Sequence, residues 1–315
     1  MAAGKRFKHV YVEVTNRCNL TCAFCPTSSR PPDEMSVDVF ARIIAQLVPL
    51  CEAVCLHVLG EPLRHARFPE LIGICARLGV PVVVTTNGTL LTPSAVQALL
   101  HPGVRQVNVS LHGLAEAGDS AWRQAKLTGI LAFAGRALRE RPDLFVNLRL
   151  WNARGHAKPS PDDAWNATVR SAIESQFGVV IPGAQAWGRR KGRRLTGQLY
   201  LHRDTVFEWP ALSGPVLTER GFCHGLGTHF GILADGTVVP CCLDHAGVMA
   251  LGNCREKPVA DILSSPRAMA ILNGFHTNRI VEPLCRRCLF RTRFGCRPAA
   301  DGRVPEPPPL EKRLG

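Results

Sequence analysis

Three cysteines in one short loop are the residues best placed to do chemistry in this chain. Cys18, Cys22 and Cys25 stand in the run Cys-Asn-Leu-Thr-Cys-Ala-Phe-Cys. Three thiolates at this spacing can bind three irons of a cubane [4Fe–4S] cluster and leave the fourth iron without a protein ligand. An iron with an open position can bind an exogenous ligand and react, as the metal does in catalytic zinc sites. Zinc modules usually present paired Cys-x2-Cys turns, and this staggered triplet differs from them.

A second set of cysteines lies in the C-terminal third. Cys223 is followed by the run Gly236-Thr-Val-Val-Pro-Cys241 and then by the pair Cys285 and Cys288. Four thiolates brought together could ligate all four irons of a second cluster. A tetrahedral zinc site of four cysteines fits this spacing almost equally well.

The other six cysteines have less defined surroundings. Cys51, Cys55 and Cys75 lie in apolar strand and helix contexts, which predicts that they are core residues. The last three could be alternative ligands, a substrate-binding thiol or ordinary buried residues: Cys242, Cys254 and Cys296.

Length and composition predict a cytoplasmic protein of the size of a typical enzyme. The chain has 315 residues, 46% of them hydrophobic, enough for one large domain and a small appendage. The first eight residues, Met-Ala-Ala-Gly-Lys-Arg-Phe-Lys, lack the apolar stretch of a secretory leader. In a reducing compartment, clustered cysteines are metal ligands more often than disulfides. No apolar run approaches the roughly 20 residues of a membrane span, so we expect no membrane partner.

The net charge of +13 is unevenly distributed. Five of the six residues at 189–194 are Arg or Lys. A second basic group is interleaved with the late cysteines: Arg286, Arg287, Arg291, Arg293 and Arg297. One interpretation is a solvated loop together with charge compensation around an anionic thiolate cluster. The other is a phosphate-bearing substrate or an RNA partner.

Residues 8–204 alternate between strand-like and helix-like patterns. The predicted strands are 9–15, 53–60, 80–86, 104–111, 144–151 and 198–203. The predicted helices are 36–48, 66–78, 93–100, 123–140 and 162–176. The first helix has apolar residues at helical spacing after a capping Ser36. This alternation predicts an α/β fold of parallel βαβ units.

The predicted strands have one apolar face and one polar face. Val107 and Val109 alternate with Asn108 and Ser110, and the strands at 9–15, 144–151 and 198–203 repeat the pattern. A parallel sheet buried on both faces would be apolar almost throughout. A curved sheet whose polar face lines a lumen explains the alternation, so we expect a polar ligand inside.

The cysteine loop, with Phe24 just before its third cysteine, resembles the cluster loop of radical S-adenosylmethionine (SAM) enzymes. That resemblance implies a partial (β/α)6 barrel over residues 1–205 and a SAM molecule that chelates the fourth iron. It further implies reductive cleavage to a 5′-deoxyadenosyl radical that abstracts hydrogen from a substrate. The late cysteines resemble the SPASM auxiliary-cluster module in its shorter Twitch form, over residues 206–297. We expect a mobile tail at residues 298–315.

The resemblance assigns metal ligands to seven cysteines: Cys18, Cys22 and Cys25 for the SAM cluster, and Cys223, Cys241, Cys285 and Cys288 for one auxiliary [4Fe–4S] cluster. Phe24 would contact the adenine. Gly60 and Glu61 resemble the motif that receives the SAM amino group, and Thr86 stands where family members approach the methionyl end.

Two further residues complete the predicted SAM contacts. Ser110 resembles a ribose or carboxylate contact. Arg149 is a suitable counter-ion for the SAM carboxylate, because an inward arginine needs an anion. A structural ion pair between Arg149 and Glu13 is the alternative.

The layout is similar to that of aminoglycoside-pathway dehydrogenases, in which the auxiliary cluster accepts the second electron. The resemblance therefore implies a small-molecule or peptide substrate and an external one-electron reductant. Radical modification of RNA, and a zinc-binding nucleic-acid module without catalysis, are the alternatives. Candidates for a general base are His57, His112, His202, Asp204, Asp244 and His245.

Overall fold

The computed structural model describes residues 7–153, 161–183, 187, 191–206 and 208–297. Its strands are β1 (His9–Val12), β2 (Val54–Leu56), β3 (Val82–Thr86), β4 (Val104–Ser110), β5 (Phe145–Ala153), β6 (Gly192–Thr196), β7 (Leu199–Thr205), β8 (His229–Ile232), β9 (Thr237–Val239) and β10 (Gly252–Asn253). Its helices are α1 (Val37–Leu47), α2 (Phe68–Arg77), α3 (Pro93–Leu99), α4 (Ser120–Glu140), α5 (Pro161–Phe177), α6 (Val259–Leu263), α7 (Pro266–His276) and α8 (Pro283–Arg286). None of the helices in these described parts is long and apolar enough to cross a membrane.

The strands form one open sheet in the order β10-β9-β8-β1-β2-β3-β4-β5-β7-β6. Six of them, β1 to β5 and β7, lie parallel to one another and correspond to the six predicted strands. The α/β prediction of a partial barrel is therefore confirmed. The predicted tail at 298–315 and part of the basic run at 189–194 lie outside the described residues.

The C-terminal segment extends the barrel sheet, which the sequence did not predict. Strand β8 pairs in parallel with β1, and His9 is opposite His229. Strands β9 and β10 then continue antiparallel beyond it. This pairing brings the β8–β9 hairpin, and the cysteines that follow it, next to the first barrel strand.

The helices cover the apolar face of the sheet, and the opposite face is polar. Helix α1 buries the four apolar residues that its sequence period predicts, and the Ser36 hydroxyl caps it by accepting a hydrogen bond from the Val39 N–H. On the lumen side, the Asn108 side chain accepts from the amide of Asn147 and donates to the hydroxyl of Thr85. The polar alternation therefore does line a lumen.

The buried carboxylate of Glu13, just beyond β1, joins four segments of the chain. Arg30 donates to both of its oxygens at 2.7 Å. The backbone N–H groups of Leu59 and Ala234 also donate to it, at 3.1 and 3.0 Å. Burial raises the pKa of Glu13, and the Arg30 charge and these hydrogen bonds oppose that shift. The predicted alternative, an ion pair between Glu13 and Arg149, is wrong because Arg30 occupies both carboxylate oxygens.

Gly60, at the end of the second barrel strand region, touches the backbone of the cysteine loop. Its φ is +75°, and a Cβ there would collide with the Thr15 carbonyl oxygen and lie 2.9 Å from the Asn16 carbonyl carbon. The next residue, Glu61, donates its N–H to the Arg17 carbonyl at 2.9 Å. A glycine is therefore required where the turn after β2 supports the loop.

We predict that Gly60→Ala destabilises the protein and displaces the cysteine loop. The positive φ alone costs about 1–3 kcal/mol for a residue with a side chain, and the collision adds to it. The matched control is Gly129→Ala in α4, where an added Cβ meets no atom within 4 Å. Helix propensity should make the control more stable by about 0.5–1 kcal/mol. Thermal unfolding of both variants tests this, and equal melting temperatures would contradict it.

We also predict that Arg30→Met lowers the free energy of unfolding by about 3–5 kcal/mol, because it leaves a buried carboxylate without its cation. The pKa of Glu13 in the folded variant should then rise further above its value in the unfolded chain. The folded state would bind the proton more tightly, so the stability of the variant should fall as pH increases above the normal carboxyl range.

Chemical denaturation at about pH 5.5 and about pH 8 measures this effect, and the deficit relative to wild type should be larger at the higher pH. Arg136→Met is the control, since its pair with Glu140 is on the surface of α4. A deficit that does not change with pH would contradict the assignment.

Candidate functional site

The cysteine loop lies between β1 and α1 and gathers its three thiols on one side. The Cys25 N–H donates to the Cys22 carbonyl at 3.0 Å, which closes a tight turn. The two thiols share a hydrogen bond that lowers the pKa of Cys25 and raises that of Cys22. Cys18 interacts electrostatically with both partners. None of the three is in a disulfide, and three free thiols on one short loop suit a cluster that takes one thiolate per iron.

Polar side chains from the end of β3 hold this loop. The Asn87 amide donates to the Asn19 side chain at 3.1 Å and contacts the Cys18 sulfur at 3.8 Å. The Asn19 amide donates to the Thr89 hydroxyl at 2.8 Å. The sequence predicted a role for the neighbouring Thr86 and none for Asn87. An amide just past a strand end, beside a thiolate loop, is the signal that could have found it.

Glu61 is almost fully buried, and its carboxylate joins the ends of β2 and β3. It accepts hydrogen bonds from the Thr86 hydroxyl and the Asn87 N–H, both at 2.7 Å, and from the Leu63 N–H at 3.0 Å. Burial raises the pKa of Glu61 to about 7, and these hydrogen bonds oppose the shift. The predicted SAM contacts Glu61 and Thr86 thus lie together, beside the loop, and both already have protein partners.

A cavity of about 430 Å³ occupies the lumen. Its walls include the predicted SAM contacts Phe24, Ser110 and Arg149. They also include all four late cysteines that were predicted to bind a second cluster: Cys223, Cys241, Cys285 and Cys288. One cavity therefore reaches from the cysteine loop to the second cysteine set.

A second cavity of about 480 Å³ is lined by Cys22 and Cys25 and adjoins the first. Phe24 and His112 line both cavities. Their rings are 4.9 Å apart, and His112 stacks on Trp151 at 6.3 Å and 12°. Phe24 and His112 therefore form a wall that the two cavities share.

Arg149 is a lumen cation without an acidic partner. Its guanidinium lies over the Trp151 ring at 4.5 Å. Burial lowers the pKa of Arg149 to about 10. No carboxylate in the described ranges lies within ion-pair distance of it. A buried guanidinium in a cavity favours an anionic ligand.

The six candidate bases separate into two groups. Three of them line the lumen cavity: His57, His112 and Asp244. Burial lowers the pKa of His57 to about 3, which makes it a weak base. The Asp244 carboxylate accepts from the Val248 and Met249 N–H groups.

The other three candidates line neither of the two cavities: His202, Asp204 and His245. Asp204 is paired with Lys191 and Arg293. The His245 ring packs edge-on against Trp209 at 5.3 Å. We therefore expect proton chemistry at the lumen residues.

The late cysteines lie near one another beside β8 and β9, with Cys285 and Cys288 buried and Cys223 and Cys241 half-buried. Cys241 follows the β8–β9 hairpin, Cys285 lies in α8, and Cys288 follows that helix. Cys223 interacts electrostatically with Cys288 and Cys285, and Cys285 with Cys241. Burial raises the pKa of all four thiols. Metal coordination would offset that cost, because it binds the thiolate form.

No three Cys, His, Asp or Glu side chains of the described chain converge tightly enough to hold a single metal ion. A four-iron cluster needs a different arrangement, because each thiolate binds its own iron. A buried, unpaired donor also lies near the late cysteines: Nη2 of Arg291 has no hydrogen-bond partner among the described residues, and the Arg291 charge interacts with Cys288, Cys223 and Cys285. The donor set therefore fits an anionic cluster.

The spare cysteines also have defined places. Cys242 lines the lumen and shares a hydrogen bond with the Tyr11 hydroxyl. Cys254 is buried, and Cys296 interacts with the Arg291 charge. Cys55 is buried as predicted, but it also lines the lumen cavity. The strand alternation explains this, since its neighbours Val54 and Leu56 pack in the core.

Comparison with known families agrees with this geometry. A model of the Radical SAM superfamily matches residues 12–140, and a model of an iron–sulfur cluster-binding domain named SPASM matches residues 223–289. These two matches contain all seven predicted cysteine ligands.

Individual relatives match over most of their length. The chain is 32% identical to the tungsten-containing aldehyde ferredoxin oxidoreductase cofactor-modifying protein of Pyrococcus furiosus, over 90% of this chain and 88% of the relative. It is 31% identical to a PqqA peptide cyclase of Streptomyces rochei, over 91% and 83%. The structure of BtrN in complex with AdoMet and 2-DOIA covers 90% of this chain and 94% of its own, with a TM-score of 0.53 and 17% identity, which shows a shared fold.

Proposed function

The chain belongs to the radical SAM superfamily and carries a SPASM domain, and on that premise we propose that it dehydrogenates a small molecule or peptide held in the lumen. Radical SAM enzymes of this kind use a [4Fe–4S] cluster, SAM and an auxiliary iron–sulfur cluster. One observation carries the proposal. A single cavity is bounded by Phe24 of the cysteine loop and by the four late cysteines. A substrate in it would be within reach of both centres.

We assign the radical cluster to Cys18, Cys22 and Cys25, and one auxiliary cluster to Cys223, Cys241, Cys285 and Cys288. When bound, the radical cluster and SAM would supply a 5′-deoxyadenosyl radical that abstracts hydrogen. The radical comes from reductive cleavage of SAM, for which an external donor provides one electron. The auxiliary site, with four cysteines for four irons, would leave no iron open to substrate and therefore suits electron acceptance.

The same premise assigns SAM contacts to the residues around the loop. Phe24 would cover the adenine, and Gly60 and Glu61 would support the amino group. Thr86 and Ser110 would face the methionyl and ribose parts. Arg149 would bind the SAM carboxylate, because its guanidinium faces the lumen cavity without an acidic partner.

A dehydrogenation must also remove a proton, and His112 is our candidate for that step. Its Nδ1 is 3.1 Å from the Arg149 carbonyl oxygen. A carbonyl only accepts hydrogen bonds, so Nδ1 carries the hydrogen and Nε2 has the lone pair. The substrate would lose one hydrogen atom to the radical, one proton to His112 and one electron to the auxiliary site.

The size of the cavity and the relatives favour a compact substrate. About 430 Å³ lies in the range of small-molecule sites, and SAM at Phe24 and Arg149 would share that space with the substrate. The relatives named above modify a cofactor and a peptide. The described part of the basic run, including the exposed Arg193 and Arg194 of β6, lines neither cavity. A small-molecule or peptide substrate is therefore preferred to RNA.

We predict that anaerobically reconstituted protein contains about eight irons and that the variant Cys18→Ala/Cys22→Ala/Cys25→Ala contains about four, because the two sites bind four-iron clusters independently. Iron and sulfide analysis measures this. Cys51→Ala is the control, since its thiol is in the core. About four irons in the wild type and none in the triple variant would show that the late cysteines hold no cluster.

We further predict that Arg149→Gln weakens SAM binding to the reconstituted protein at least about tenfold, since charged hydrogen bonds contribute about 1.5–3 kcal/mol. Equilibrium binding of SAM measures this. Arg203→Gln is the control, because Arg203 on β7 lies over Trp187 and outside the cavity. Unchanged SAM affinity with Arg149→Gln would contradict a contact to SAM and would assign Arg149 to substrate binding instead.

A further inference from the structure

Arg291 is a cation buried inside the set of late cysteines. It is 2% exposed and lies in the 3-10 turn Phe290–Phe294. Its Nε donates to the Cys285 carbonyl at 3.2 Å, and its Nη2 has no hydrogen-bond partner among the described residues. The side chain lines the lumen cavity together with Cys223, Cys285 and Cys288.

Burial of this guanidinium is unfavourable without an anion. Burial lowers the pKa of Arg291, and the nearby thiols, Cys288 first among them, oppose that shift. Within the described ranges no carboxylate forms an ion pair with it. The backbone makes room for it, since a Cβ at Gly221 would collide with its Nη1. The charge therefore faces thiols and has no acidic residue to neutralise it.

The other arginines of the same segment have different surroundings. Arg286 pairs with Glu219 and Arg293 with Asp204. Arg297 is exposed and stacks over Phe222. Arg287 is only partly buried and donates to the carbonyls of Gly214 and Pro283. Of this group, Arg291 is the buried member, and the charge compensation suggested by the sequence concentrates there.

We propose that Arg291 is a positioning residue that sets the reduction potential of the auxiliary cluster. Nη2 is the donor left for a sulfur of the cluster, and the guanidinium charge offsets the negative charge of the thiolate ligands. Reduction adds one more negative charge, so a fixed cation stabilises the reduced form more than the oxidised form. Arg291 thereby raises the reduction potential and favours electron acceptance. This inference rests on the proposed auxiliary cluster.

The electron count is that of the proposed dehydrogenation. The substrate radical gives one electron to the auxiliary site and one proton to His112. A double bond then forms between the radical carbon and a neighbouring carbon or oxygen. Arg291 neither gains nor loses a proton or an electron. Its contribution is to make the acceptor take up that one electron more readily.

The test uses the full-length Cys18→Ala/Cys22→Ala/Cys25→Ala protein, in which only the auxiliary cluster remains. Three variants of this parent are made, which carry Arg291→Gln, Arg291→Lys or Arg293→Gln in addition to the three cysteine substitutions. The parent and each variant are then compared by iron analysis and by a redox titration followed by electron paramagnetic resonance. The last variant removes a charge from the exposed side of the same turn. Each measurement reports on the cluster without requiring a substrate.

We expect Arg291→Gln to retain its iron and to lower the ratio of reduced to oxidised cluster at a fixed potential about tenfold, which is 59 mV for one electron. Arg291→Lys should remain near the parent because it keeps the charge, and Arg293→Gln should not change the potential. If Arg291→Gln loses its iron while Arg291→Lys keeps both iron and potential, the charge is needed even for cluster retention, which supports the proposal.

Three results would overturn it. The first is a potential unchanged by Arg291→Gln, the second is an equal shift with Arg293→Gln, and the third is loss of iron from both Arg291 variants, which would indicate a purely structural role. In each of these cases the parent still holds about four irons and the proposed function stands. A parent without iron is a separate outcome, because it removes the auxiliary cluster and the proposed function with it.

Discussion

The buried carboxylate of Glu13 is the interaction on which the rest of the molecule depends. Its oxygens accept hydrogen bonds from the Arg30 side chain at the far side of the cysteine loop, from the Leu59 N–H after β2 and from the Ala234 N–H after β8. A carboxylate with no solvent exposure is tolerated only when such donors surround it. The same hydrogen bonds therefore fix where the loop returns, where the Gly60 turn begins and where the C-terminal segment docks.

The docking of β8 against β1 explains why two cysteine sets share one cavity. The barrel alone would leave its first strand as an open edge. With β8 paired there, Cys241 and the turn around Asp244 face the lumen from the side, and Phe24 with His112 faces it from the loop end. The lumen walls combine two arginines, imidazoles and thiols. Such a cavity suits an anionic or polar ligand held between two electron-transfer centres.

Local patterns made most of the framework predictable. Strand alternation and helical spacing gave the six parallel strands and α1, because each is set by neighbours a few residues apart. Cysteine spacing predicted which thiols form the loop set and which form the late set. The partner of Glu13 was not predictable, since Arg30 and Arg149 are equally good cations and only the tertiary fold chooses between them. The β8–β1 pairing, the Asn87 contact with Cys18 and the burial of Arg291 were likewise missed, because each joins segments far apart in sequence.

The reach of Glu13 to Ala234 has a consequence for the order of events during synthesis. The chain emerges from the ribosome N-terminus first, so the cysteine loop is exposed long before its last anchor exists. Contacts that span more than two hundred residues form late and slow the folding of the whole domain. A nascent chain ending before β8 therefore already contains the Asn87 and Thr89 contacts to the loop but lacks the Ala234 donor to Glu13. The carboxylate that anchors the start of the cysteine loop therefore gains its full set of donors only once the C-terminal third of the chain has been made.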